Sequence, residues 1–353
     1  MVVQVQGESL VEEVLMLKDA EAGLDGVIAV HSTVLGPGAG GCRLWHYADG
    51  EAAFADAVRL AEGMSYKNAL AGLPLGGAKA VLRRPAGDFD RAKLFRAFGR
   101  AVARLEGRYV TAEDVGTGVA DMEVVAGETR HVAGLAKRPG RPGGDPSPHT
   151  ARGVFVAMEH AVRRRLGRDL AGCTVAIQGV GHVGEALAHL LHAAGARLVV
   201  ADVDSERVAR VAVETGAEVA SSAQVLATRA EVFAPCALGG VFHAESVEAV
   251  RAPVICGAAN NQLATAQDGE RLARRGILYA PDYVVNAGGI INVAGEYIGW
   301  SPEDVAGRVE STGARLGAVL DLAEAQGLAP HLAADVLARS AIAAGRVKTP
   351  IAA

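Results

Sequence analysis

Cysteine is scarce in this 353-residue sequence, and its four copies, Cys42, Cys173, Cys236 and Cys256, lie far apart with no C-x-x-C pair. That argues against a disulfide framework and against a zinc site. Long apolar runs are missing as well: nothing approaches the ~20 residues of a membrane-spanning helix. The N-terminus carries Glu8, Glu12 and Glu13 where a secretory leader would have a basic flank and an apolar stretch. No basic block occurs and the net charge of −5 is mixed along the chain, so neither nucleic acid nor an anionic membrane is an expected partner. The protein is expected to be soluble and cytoplasmic. His31, His46 and His149 show no ligand spacing, and no metal is expected. Lysine is the rarest of the common charges: Lys18, Lys67, Lys79, Lys93, Lys137 and Lys348 are the only six among 35 basic residues. Where lysine does stand, an amine that can lose its proton is a specific choice over arginine.

The chain has the length of two domains. Thr174–Gln178 is a β-branched apolar run that breaks into Gly179-Val180-Gly181-His182-Val183-Gly184, after which apolar residues recur at helical spacing as far as Gly195. Leu198–Val200 then reads as a second buried strand ending at Asp202. A lone GxGxxG is weak, but strand, turn, helix, strand and terminal acid together form a dinucleotide-binding unit. The glycines allow the turn and the approach of a pyrophosphate to the helix N-terminus. Asp202 can accept from a ribose 2′-OH and repels a 2′-phosphate, which favours NAD over NADP. Further strands near 231–237, 253–256 and 277–280 continue the alternation, and their carboxyl ends carry Cys236, Ala237, Asn260, Asn261 and Asn286. Asparagines there can serve the nicotinamide carboxamide, though turn formation is an equal use. Thr150 opens the helix leading into this unit and is added to the cofactor set.

The N-terminal half holds the second informative stretch. Lys67 and Lys79 flank apolar, glycine-rich sequence, and glycines 72, 76 and 77 let the chain bring both amines to one cavity. Mutual repulsion and desolvation would there strip one amine of its proton near neutrality, giving a general base; two snorkelling surface lysines are the plainer alternative. A strand from Arg108 stops at Glu113-Asp114, where a carboxylate among lysines would stay ionised for proton transfer. The glycine-rich loop 36–41 can present backbone N–H groups to a small anion. Prolines and glycines crowd 136–149, which reads as a hinge. The expected organisation is α/β in two domains: 1–138, joined by a C-terminal helix 329–353, as substrate domain, and 139–328 as a Rossmann-type, doubly wound dinucleotide domain.

Over nearly its whole length the chain resembles the glutamate, leucine, phenylalanine and valine dehydrogenase family. The carriers are Leu35-Gly-Pro-Gly-Ala-Gly-Gly-Cys-Arg, Met64-Ser-Tyr-Lys-Asn-Ala, Leu75-Gly-Gly-Ala-Lys, Thr111-Ala-Glu-Asp-Val-Gly-Thr, Gly257-Ala-Ala-Asn-Asn-Gln-Leu and Tyr283-Val-Val-Asn-Ala-Gly-Gly. The resemblance implies reversible, NAD-linked oxidative deamination in a cleft between two domains, in a homo-oligomer. It implies that Lys67, aided by Gly40 and Gly41, binds the substrate carboxylate, that Lys79 is the general acid/base, and that Asp114 shuttles protons. Ala78 stands where the family usually has a third glycine, a small change if the backbone angle is negative.

Dicarboxylate-specific relatives place a lysine and a serine at positions that look like Ala39 and Val293, so glutamate is disfavoured. Ala112 and Val293 resemble the branched-chain enzymes, and Ile290 and Asn261 complete the implied substrate set. Ala39 is smaller than the usual leucine and could admit phenylalanine. Valine or leucine is therefore the expected substrate, with a phenylalanine dehydrogenase as alternative and a non-catalytic NAD-binding regulator as the competitor from another class.

Overall fold

In the computed structural model, which describes residues 2–3 and 11–345, the alternating apolar residues of the N-terminal half build a seven-stranded mixed sheet. Its strands are β1 (Val2–Val3), β2 (Glu13–Asp19), β3 (Leu24–Ser32), β4 (Gly38–Ala39), β5 (Cys42–Trp45), β6 (Gly76–Arg83) and β7 (Tyr109–Val110). They run in the order β1-β2-β3-β6-β4-β7, with β5 also on β6. The β2–β3 and β3–β6 pairs are antiparallel, whereas β4 and β5 run parallel to β6. Side chains alternate across a strand, so the parity of β6 decides what each residue meets. Ala78, Ala80 and Leu82 join a core with Phe95 and Phe98, while Val81 meets Ala53, Ala57 and Ala61 on the other face. Gly77 and Lys79 share the parity of Val81.

The helix on that face, α1 (Gly50–Leu70), starts at Asp49, whose side chain accepts from the Ala52 N–H. Its inward residues Ala53, Ala57, Ala61 and Ser65 are small and spaced by four, so the helix axis lies close to the sheet. The opposite face is covered by α2 (Arg91–Ala103), capped by Asp90, and α3 (Val119–Ala126).

The second sheet has six short parallel strands: β8 (Thr174–Gln178), β9 (Arg197–Ala201), β10 (Glu218–Val219), β11 (Val232–Pro235), β12 (Val254–Ile255) and β13 (Leu278–Tyr279). Their order is β10-β9-β8-β11-β12-β13. Counted from its own first strand that is 3-2-1-4-5-6, the Rossmann order, whose switch point falls between β8 and β11. The helices are α4 (Ser147–Leu166), α5 (His182–Ala193), α6 (Ser205–Thr215), α7 (Ala244–Ala249), α8 (Ala266–Arg274), α9 (Asp282–Val285), α10 (Gly288–Ile298), α11 (Pro302–Glu310), α12 (Thr312–Gln326) and α13 (Pro330–Gly345). Glycines 153 and 313 let α4 and α12 pack closely.

Contacts divide the chain into two units: the described residues of Met1–Asp145, Ile290–Val305 and Ala338–Ala353, and Pro146–Gly289 with Ala306–Leu337. The sequence reading drew the division at 138/139 and returned 329–353 to the first unit. The contacts draw it at 145/146 and also give the first unit Ile290–Val305. The remaining boundaries fall inside α10, α11 and α13, whose apolar stripes continue through them. Residues 346–353 of the expected C-terminal helix lie outside the described residues. No helix among the described residues is long and apolar enough to cross a membrane.

Candidate active site

In the first unit Lys79 is 5% exposed and its Nζ stands 3.1 Å from Asp114 Oδ2. The same oxygen accepts from Arg43 Nε at 3.0 Å. Arg43 Nη1 in turn donates to Asp56 Oδ2 at 3.0 Å, and Asp56 also accepts from Tyr47 and Arg59 at 2.6 Å each. Burial by itself pushes the Asp114 carboxyl up, but Lys79 and Arg43 together outweigh it and hold the group below the usual carboxylate range. Glu113 moves the other way, pushed up by burial and then by Asp145 and Glu296. The paired carboxylates at the end of β7 are thus separated in character, with Asp114 the ionised one. Its turn is fixed by Thr117, whose hydroxyl accepts from the Asp114 N–H at 2.9 Å and donates to the Cys42 carbonyl at 2.8 Å.

The glycine loop lies against this cluster. A Cβ on Gly40 would fall 1.9 Å from the Ala78 carbonyl oxygen, and one on Gly41 would fall 2.8 Å from Asp114 Cβ. Lys67 is half-buried in the last turn of α1. The next residue, Asn68, donates to the carbonyls of Gly76 at 2.6 Å and Ala39 at 3.3 Å, which pins the helix end between β4 and β6. Gly77 makes that approach possible, since a Cβ there would strike the Ser65 backbone. Ala78 has no positive φ and its methyl sits in the core, so alanine in place of the family's glycine needs no left-handed backbone there, and the register shift at this pair lies on β3 between Val30 and Ser32. Ala39 and Ala112 are buried, while Ile290 and Val293 lie half-buried on α10. That helix is fastened by Asn292, which accepts from the Gly143 N–H, and by Glu296, which accepts from the N–H groups of Gly134 and Leu135.

In the second unit the glycine turn after β8, with Asp202 on it, meets Cys236 and Ala237 after β11 at the switch point. Gly179 has φ +97 and stands where a Cβ would come within 2.8 Å of Ala237 N, so the turns after β8 and β11 touch. Gly184 lies against the Gly179 carbonyl, and the helix α5 starts with Gly181 as its N-cap, His182 exposed and Val183 half-buried beside it. Asp202 accepts from the Val180 N–H at 2.7 Å and from the Asp204 N–H at 3.0 Å, so it holds the glycine turn as well as ending β9. Cys236 donates its N–H to the Gln178 carbonyl. Asn286, 5% exposed, donates to the Ala258 carbonyl at 3.0 Å and to Asn260 Oδ1 at 2.9 Å. Its own Oδ1 is buried without a protein partner, an acceptor that the carboxamide of a nicotinamide would satisfy. Asn261 has φ +52, a strained turn that asparagine tolerates better than most residues. Thr150 lies in the first turn of α4 beside Gly289. The donor set and the glycine cradle fit a dinucleotide.

Sequence reasoning missed Arg43, Asp56 and Asn68. Arg43 was visible only as the last letter of the glycine-loop motif, and one arginine among many gives no signal.

Burial pushes the Cys42 thiol beside Lys79 far above its usual range, so it is no covalent nucleophile. The Rossmann strand order and the glycine turn of the second unit define a dinucleotide-type α/β fold. The chain belongs to the Glu/Leu/Phe/Val dehydrogenase family: the model of its dimerisation domain matches residues 11–131, and that of the glutamate/leucine/phenylalanine/valine dehydrogenase matches 145–209 and 203–348. It is thus an amino-acid dehydrogenase. Among relatives, the leucine dehydrogenase of Thermoactinomyces intermedius is 45% identical over 94% of this chain and 90% of its own length. The valine dehydrogenase of Streptomyces albus is 44% identical over 96% and 93%. The crystal structure of L-tryptophan dehydrogenase from Nostoc punctiforme superposes with a TM-score of 0.84 at 38% identity, covering 96% of this chain and 98% of that one.

Proposed function

We propose that this dehydrogenase deaminates an apolar branched-chain L-amino acid, leucine or valine, with NAD as oxidant, and that it works as a homo-oligomer. NAD, when bound, supplies the hydride acceptor, so that amino acid, NAD and water give 2-oxo acid, ammonium, NADH and a proton. Gly179–Gly184 and the α5 N-terminus hold the pyrophosphate, Asp202 a ribose hydroxyl, and Asn286 with Asn260, Cys236 and Ala237 the nicotinamide end. Lys67, with the backbone of Gly40 and Gly41, binds the substrate carboxylate. Lys79 takes the proton of the water that attacks the imino carbon, and Asp114 passes a proton to the departing ammonia. The observation that carries this reading is the buried contact of Lys79 Nζ with an ionised Asp114.

Substrate choice rests on the apolar set Ala39, Ala112, Ile290 and Val293. A second substrate carboxylate buried there unpaired would cost several kcal/mol. Similarity to the leucine and valine dehydrogenases supports branched-chain substrates. The small Ala39 and the likeness to an L-tryptophan dehydrogenase favour an aromatic amino acid as the second reading. The dimerisation-domain match supports self-association. The test is NADH absorbance with Val, Leu, Ile, Phe, Trp and Glu, each with NAD and with NADP. Turnover led by Leu or Val with NAD is expected; a preference for Glu or for NADP would overturn the assignment.

A further inference from the structure

We infer that Arg43 is a positioning residue for proton transfer: bridging Asp56 and Asp114, it fixes the Asp114 carboxylate with Oδ2 on Lys79 and leaves Oδ1 to carry protons. The inference rests on the proposed roles of Lys79 and Asp114. Asp114 Oδ2 takes both Lys79 Nζ at 3.1 Å and Arg43 Nε at 3.0 Å, while Oδ1 accepts no hydrogen bond among the described residues. Arg43 is itself held, because Asp56 takes its Nη1 at 3.0 Å and is gripped by Tyr47 and Arg59. The guanidinium is therefore aimed from behind, through a helix that also carries Lys67.

The charges explain why an arginine is needed. Asp114 is faced by Lys79 from β6, by Arg43 and the Cys42 thiol from β5, and by the Tyr109 phenol from β7. Burial keeps that thiol and that phenol neutral. The two cations that oppose the carboxylate are Lys79 and Arg43, and in the proposed roles Lys79 gives up its proton in turnover. Arg43 stays charged throughout. It keeps Asp114 ionised at the moment when Lys79 is neutral. A lysine at 43 would carry the charge but could not present the planar fork that spans two carboxylates.

The experiment is the pH dependence of kcat and kcat/KM in the NADH-forming assay for wild type, Arg43→Gln, Arg43→Lys, Asp56→Asn and Lys79→Ala. Losing Arg43 raises the value at which Asp114 takes up a proton, so the acidic limb of Arg43→Gln moves to higher pH, by about one unit or more. Its kcat at neutral pH falls about tenfold or more, with KM for the amino acid changed by no more than about threefold. Arg43→Lys returns the limb toward wild type with kcat still reduced, and Asp56→Asn shifts the limb less than Arg43→Gln. An acidic limb at the wild-type position in folded Arg43→Gln overturns the inference, as does a uniform loss that follows the folded fraction. If Arg43→Gln does not fold, the limb of Asp56→Asn decides: at the wild-type position it overturns the inference. A Lys79→Ala enzyme as active as wild type would instead overturn the parent roles, and this inference with them.

Discussion

At the scale of single residues the site depends on steric exclusion as much as on charge. Gly40 has no room for a side chain beside the Ala78 carbonyl. Gly40→Ala is therefore expected to displace the loop from β6 and to raise KM for the amino acid at least tenfold, read from initial rates. Ala78 is the converse case. Its backbone has no positive φ, so Ala78→Gly should leave kcat within about threefold while lowering stability by about 0.5–1 kcal/mol, measured by urea unfolding. A large loss of activity in Ala78→Gly would contradict this account of Ala78. Residue type made part of this readable: scarce lysines in apolar surroundings and paired carboxylates at a strand end marked Lys67, Lys79, Glu113 and Asp114 as candidates, and the family resemblance chose Lys79 and Asp114 among them. The contact between them is a geometric fact that spacing along the chain cannot supply. Arg43 and Asp114 are 71 residues apart, and only the folding of β5 against the turn after β7 joins them.

At the scale of elements, the strand–turn–helix at Gly179–Gly184 was legible because each glycine has its own steric reason and the apolar period changes from two to 3.6 at that point. Asp202 shows what was not legible: it holds Val180 and Asp204 as well as ending the strand. Asp202→Ala is expected to raise KM for NAD about tenfold and to lower stability by about 1–2 kcal/mol, leaving the order of amino-acid preference unchanged. An unaltered NAD affinity would remove the ribose assignment. The helix α10 was read only through Ile290 and Val293, yet Glu296 fastens it to the backbone of Gly134 and Leu135. Such side-chain-to-backbone ties leave no periodic signature. Around Arg43, Asp56 on α1 and Asp114 after β7 are both held below their unfolded values near 3.9. A depressed carboxyl stabilises above its unfolded value and loses that contribution as pH falls through the folded one. Melting temperature between pH 6 and 3 should thus fall more steeply for wild type than for Asp56→Asn.

At the scale of the whole molecule, the parallel second sheet follows from the strand–helix alternation that the sequence displays, whereas the order 3-2-1-4-5-6 and the mixed pairing of the N-terminal sheet are set by tertiary packing. The division into units was less legible. Prolines and glycines in 136–149 mark one crossing, but the others run through continuous helices, where an unbroken apolar stripe hides the change of unit. Two-residue strands such as β4 and β10 were equally silent, since they are set by their neighbours. The account as a whole turns on a buried amine and an ionised carboxylate doing acid/base work on an amino acid. The measurement that tests it most directly is NADH formation from L-leucine by Lys79→Ala beside wild type, with melting temperatures taken on the same samples. The expected result is a kcat lower by about 10²–10⁴ with the fold retained. A folded Lys79→Ala enzyme turning over at close to the wild-type rate would contradict it.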